Sequence, residues 1–233
     1  MIESSEIEYK KTKLIKQGKN RIEKEFESIA KWISEKYNVN VLDIQQEFMS
    51  HNNKVRIAVH LETSEDELKF HESNHWYSNF NSKKQTEIAE KLVGNLNLLK
   101  VPTNKTFGKI LKRKPTLKDI FISFSAFKPV AMEETNTLIP EKRISELQDE
   151  FGIPEIWTIS RCFSNVTLFV YKDEQKEKIK NSAEFKMVEN KYFELLKEHD
   201  EFNYWKREKF GIGIDSKQNF DENYESNWYY YYK

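Results

Sequence analysis

Apolar residues along the first third of the chain fall at helical spacing and then at strand spacing. Ile22, Phe26, Ile29, Ile33 and Tyr37 recur every three or four positions among Lys and Glu, which predicts a helix from about residue 17 to 37 with one buried face. "NVLDIQQEF" and "KVRIAVHLE" follow, separated by the turn-forming "SHNN". Val55, Ile57, Val59 and Leu61 alternate there with Arg56, Ala58, His60 and Glu62, the pattern of a half-buried strand in a hairpin. Residues 63 to 82 are polar, and helical spacing returns with Ile88, Leu92 and Leu96.

The segment from Lys100 to Asp119, with Pro102, Gly108 and Pro115 among many lysines, reads as a long connection. Beyond it the pattern predicts a strand in "DIFISFSAF" and a helix opening near Pro140 that carries Ile144, Leu147 and Phe151. A second hairpin, "EIWTISRCF" and "VTLFVYKDE", turns around Ser164 and Asn165. A long helix is expected from about residue 174 to 202, with Phe185, Val188, Tyr192, Leu195 and Phe202 inward. "FGIGID" and "NWYYYYK" read as closing strands.

The two halves share an outline. Asn38 and Gly152 stand where a helix ends in the left-handed conformation, each followed by an apolar residue, a hairpin and a helix. The expectation is an α+β protein with antiparallel sheets and helices on one face, as a tandem α-β-β-α-β repeat or one continuous sheet. Residues 1–100 would form an N-terminal half, 101–118 a basic connecting loop, and 119–233 a C-terminal β-α-β-β-α-β half of ferredoxin-like order.

Composition narrows the function classes. The chain has 38 basic and 38 acidic residues, so no global field draws it to nucleic acid or an anionic membrane. With 16 Phe, 11 Tyr and 5 Trp among 233 residues it has apolar surface enough to fold. Cys162 is the single cysteine, which excludes an internal disulfide and any multi-cysteine metal site. The N-terminal residues hold no apolar run of the signal-peptide kind, and no eighteen consecutive residues are apolar, so the expectation is a cytoplasmic protein with no membrane partner.

Candidate chemistry begins with "HESNH", which spells H-E-x-x-H at His71, Glu72 and His75. A zinc hydrolase of that kind needs both histidines on one helical face, a glutamate to activate bound water and a third ligand. Ser73 and Asn74 are poor helix formers and the residues after His75 read as loop, so the expectation is a solvated loop with surface histidines. The alternatives are a zinc hydrolase with His71 and His75 as ligands, Glu72 catalytic and Glu87 or Glu90 as third ligand, and a three-histidine metal site of His60, His71 and His75. His60 reads first as a strand histidine beside a carboxylate, His199 as structural, and Cys162 as an inert packing group.

Lys105, Lys109, Lys112, Arg113, Lys114 and Lys118 lie in a run without acids, with Phe107 available to stack on a base, which is the minimum footprint for a nucleic-acid partner. The C-terminal residues combine Tyr224, Trp228, Tyr229, Tyr230, Tyr231 and Tyr232 with Asp221, Glu222 and Glu225. Such aromatic and acidic surface suits a basic protein partner, whereas an edge strand covering the core is the plain reading of the same residues. With no convergent catalytic set, the expected function is protein binding, of the immunity or antitoxin kind, without a cofactor. A zinc hydrolase at residues 71–75 and a nucleic-acid-binding protein using residues 105–118 are the alternatives.

Overall fold

The structure, a computed structural model, describes residues 6–73, 75, 78–95, 101–106 and 109–233. The chain divides into two compact units, Met1–Val130 and Ala131–Lys233. In the first unit α1 (Ile7–Lys16) and α2 (Lys24–Tyr37) precede the hairpin β1 (Val41–Met49) and β2 (Lys54–Leu61). Then come α3 (Ser64–Leu68), α4 (Ser82–Asn95), β3 (Val101–Thr106), β4 (Lys109–Arg113) and β5 (Ile120–Ala126). α5 (Phe127–Leu138) crosses the division. The second unit continues with α6 (Glu141–Phe151), β6 (Ile156–Cys162), β7 (Asn165–Val170), α7 (Gln175–Lys180) and α8 (Ala183–His199). It closes with β8 (Gly213–Ser216), α9 (Lys217–Tyr224) and α10 (Trp228–Tyr231).

Each unit holds a three-stranded sheet, in the orders β1-β2-β5 and β6-β7-β8, with helices packed against it, so the fold is α+β. The sheets are mixed and not purely antiparallel. The hairpin strands are antiparallel, while β5 joins β2 and β8 joins β7 in parallel. Parallel neighbours need a crossover, and the helices between the strands supply it. Since β5 pairs with β2, it belongs to the first unit, and the C-terminal residues do not form a β-α-β-β-α-β sheet of ferredoxin-like order. The boundary falls at residue 130, not at 101–118, and that expected loop is instead the antiparallel hairpin of β3 and β4.

The two three-stranded sheets correspond strand by strand, while β3 and β4 have no counterpart in the second unit. Asn38 and Gly152 each end a helix in the left-handed conformation, with φ of 52° at both. The register shifts once near the start of each hairpin, between Val41 and Asp43 and between Ile156 and Thr158. Beyond the shift, Asp43, His60 and Ser125 lie in one row across the first sheet, and Thr158, Phe169 and Asp215 occupy the same row of the second.

One face of each sheet carries the apolar core. In the first unit Phe26, Ile29 and Ile33 of α2 and Ile88 and Leu92 of α4 pack with Ile44, Ile57, Val59 and Phe124. In the second, Ile144 and Leu147 of α6 and Phe185, Val188 and Leu196 of α8 pack with Ile159, Leu168 and Val170. The opposite faces are covered too, a departure from helices on one side only. α1 lies over the first sheet, where Thr12 meets Asp43 and Lys16 meets Glu62; α9 and α10 lie over the second, where Phe220 and Tyr231 pack on Phe169.

Other boundaries differ from expectation. The helix expected over 17–37 begins only at Lys24, as α2, and the long helix expected over 174–202 is broken at Asn181 and Ser182, where Ser182 caps α8 by accepting from the Phe185 amide. Leu96 and Phe107 lie outside the described residues.

Candidate functional site

The H-E-x-x-H residues do not sit on a helix. His71 forms a β-bridge with Phe80, its Nδ1–H donates to the Ser78 carbonyl at 2.8 Å, and its ring tilts against that of Phe80. His71 is therefore buried, contrary to the expected surface histidine, whereas Glu72 and His75 are exposed. Glu87 is held by Lys36 and by the Tyr37 hydroxyl, and burial followed by that carboxylate raises the Tyr37 phenol. Among the described residues no group of three or more His, Cys, Asp and Glu is placed to hold a metal ion, so His60, His71 and His75 do not converge. The zinc alternative lacks its geometry.

Within the basic run β3 and β4 pair antiparallel. Lys105 and Lys109 stand on β3 and β4, and Lys112, Arg113, Lys114 and Lys118 are exposed. Arg113 donates to both oxygens of Asp119 at 2.6 and 2.9 Å, which holds that carboxyl far below its usual range and occupies the guanidinium. Cys162 is half-buried, and burial with Glu133 nearby raises its thiol, in keeping with a packing group.

The aromatic C-terminal residues form helices and not an edge strand. Ser216 caps α9 by accepting from the Asn219 amide, and Asn227 caps α10 by accepting from the Tyr229 amide. Between them Glu225 and Ser226 both have φ of 55°, a left-handed turn that doubles the chain back on the sheet.

Helical spacing then divides the aromatics. Trp228 stacks on Trp157 at 5.9 Å and lies 4.2 Å from the Phe220 ring, while Tyr231 meets Phe169 edge-on at 5.2 Å. The Tyr231 hydroxyl donates to Asp215 at 2.7 Å, and burial with that carboxylate raises the phenol. The Tyr232 hydroxyl bonds Ser160 at 2.7 Å, and Tyr224 packs edge-on against Tyr231. Tyr229 and Tyr230 point away from the sheet, 67% and 47% exposed. Of the acids, Asp221 pairs with Lys217 and bonds Ser226, Glu222 accepts from Gln218, and Glu225 is exposed on the turn.

Beside these helices, β6 is an edge strand with a pocket of about 370 Å³ along it. Thr158, Ser160, Phe163, Glu141, Arg161 and Trp228 are among the lining residues. Arg161 crosses its floor, donating to the carbonyls of Asn136 and Ile139 at 2.5 and 2.9 Å and pairing with Glu141. Buried Asn136 ties this end of α5 to the hairpin, donating to the Phe163 carbonyl at 2.9 Å and accepting from Tyr192 at 2.7 Å. Phe163 itself has φ of +53° and is 54% exposed, a position more often taken by Gly or Asn. The chemistry on offer is contact: rigid aromatic surface, a polar pocket and a sheet edge. Trp228 and the tyrosines are recognisable in the sequence by type, whereas Phe163, Glu141 and Arg161 lie far from them along the chain.

No family model, curated protein or solved structure matches the chain. No described helix is long and apolar enough to cross a membrane.

Proposed function

We propose that this chain is a protein-binding protein of the immunity or antitoxin kind, which covers a basic surface of a cytoplasmic partner. The observation that supports it is the division of the aromatic residues. Tyr231 and Tyr232 pack inward and Trp228, 38% exposed, stacks on Trp157, leaving Tyr229 and Tyr230 outward on one firmly held turn. Tyrosine suits contact because it offers large area with few rotamers to fix. Glu222 and Glu225 are exposed on the neighbouring helix and turn, which favours a basic partner and fast, salt-sensitive association.

The test is capture of the tagged chain's partner from lysate of its own host, followed by titration of the two purified proteins. The reading expects a one-to-one complex whose Kd rises by about 30-fold in the Tyr229→Ala/Tyr230→Ala double variant, the scale of an aromatic hot spot. A complex that forms equally well with the double variant would place the contact surface elsewhere.

A further inference from the structure

α1 covers the first sheet mainly through polar contacts, whereas α2 and α4 pack on its other face mainly through apolar side chains. Four residues on one side of α1 reach the sheet or its edge. Glu8 pairs with Arg56, Tyr9 stacks on Phe127 at 5.1 Å, Thr12 donates to Asp43 at 3.3 Å, and Lys16 meets Glu62 at 2.8 Å. Gln45 adds a bond to the Glu8 carbonyl at 3.0 Å. Below the helix lie Asp43, Gln45, Arg56, His60, Glu62 and Ser125, a row of groups that water would solvate well. Tyr9 and Phe127 add a buried ring stack to these polar contacts.

Two atoms under the helix are left without a hydrogen bond: Nε2 of His60 and Oε2 of Glu8, 3.8 Å apart and both buried. The other ring nitrogen of His60 shares a 2.9 Å bond with the Ser125 hydroxyl. A buried polar group without a partner costs free energy that exposure would recover. Residues 17–23 join α1 to α2, and Gly18 within them has φ of +71° with open space around it.

From this we infer that α1 is a releasable cover: in mild acid it leaves the first sheet locally and uncovers the face carrying Asp43, Arg56, His60 and Ser125. Protons select the open state through His60, whose imidazole is only 4% exposed when covered. The groups facing it are Glu8 from α1, Asp43 from β1, Arg56 from β2 and Ser125 from β5. Burial and then Arg56 lower its pKa to about 4, against 6.5 for a free imidazole. At pH 5 that difference favours the open state by about 30-fold over its population at pH 7.5. Glu8 and Asp43 work the other way: the Glu8 carboxylate, 3.8 Å from Nε2, pairs with an imidazolium in the covered state, and burial raises the Asp43 carboxyl, so that the covered state accepts its proton more readily. Asp43→Asn therefore steepens the response.

Hydrogen exchange of the full chain, corrected for intrinsic rates, tests this at pH 7.5, 6 and 5. The opening equilibrium of the α1 amides rises about 30-fold over the range while the β2 amides do not follow, and in His60→Gln the rise disappears. Should that variant fail to fold, the wild-type His60 ring resonances serve instead. Their titration coincides with loss of the Tyr9–Phe127 ring contacts. Protection of α1 that stays parallel to that of β2, or a His60 titration with those contacts intact, overturns the inference.

Discussion

The second faces of the two sheets are built on the same register and covered by opposite chemistry. In the first, the row Asp43, His60, Ser125 lies under a helix held by ion pairs and hydrogen bonds. In the second, the row Thr158, Phe169, Asp215 lies under helices whose Phe220, Trp228 and Tyr231 close around Phe169. His60 and Phe169 thus hold equivalent places in the two sheets. Ion pairs and buried polar bonds contribute little net stability, because desolvation offsets them, whereas aromatic burial contributes through area and packing. One architecture thus carries a cover that lifts and a cover that stays.

The largest expected effect breaks the second cover. Phe169→Ala removes the ring on which Trp157, Phe220, Trp228 and Tyr231 converge, and unfolding of the second unit in denaturant is expected to be easier by about 4 kcal/mol. A loss under 1 kcal/mol would mean that the aromatic packing is not what holds α9 and α10.

In the first unit the corresponding lever is protonation. The unfolded chain takes a proton on His60 near pH 6.5 and the folded one only near 4, so this contribution is whole above 6.5 and is lost as pH falls to about 4. The full difference is about 3 kcal/mol. Denaturant midpoints measured across that window should fall in the wild type and flatten in His60→Gln.

These two covers were not equally legible in the sequence. The caps at Asn38 and Gly152 and both hairpins follow from local rules, and they are as expected. The parallel β5 and β8 do not, since nothing near a strand encodes which distant neighbour it will join. α1 was overlooked because the side it buries includes Glu8 and Thr12, which carry no apolar period. "NWYYYYK" misled in the other direction. Tyr and Trp favour strands, but the Asn227 cap, the left-handed turn before it and the packing of Trp228 on Trp157 make the segment helical. Of the candidate contact residues, the tyrosines were visible by type, while their inward and outward division required the helix.

A finer effect sharpens the account of the second cover. Tyr231→Phe keeps the ring and removes the bond to Asp215, which Asn219 also serves, so a loss of about 1 kcal/mol is expected in thermal or denaturant unfolding. The smallest effect is expected at Tyr229→Ala/Tyr230→Ala, within about 0.5 kcal/mol of the wild type, because neither side chain is buried. A large loss there would move these residues from contact surface to core.

The most direct test of the difference between the covers is native-state hydrogen exchange at pH 7.5 in increasing urea, following α1, α9 and the central strands in one sample. The predicted result is that α1 amides exchange through a local opening almost independent of urea, while those of α9 join β7 in the unfolding of the second unit. The contrary result is α1 merging with β2 while α9 opens on its own.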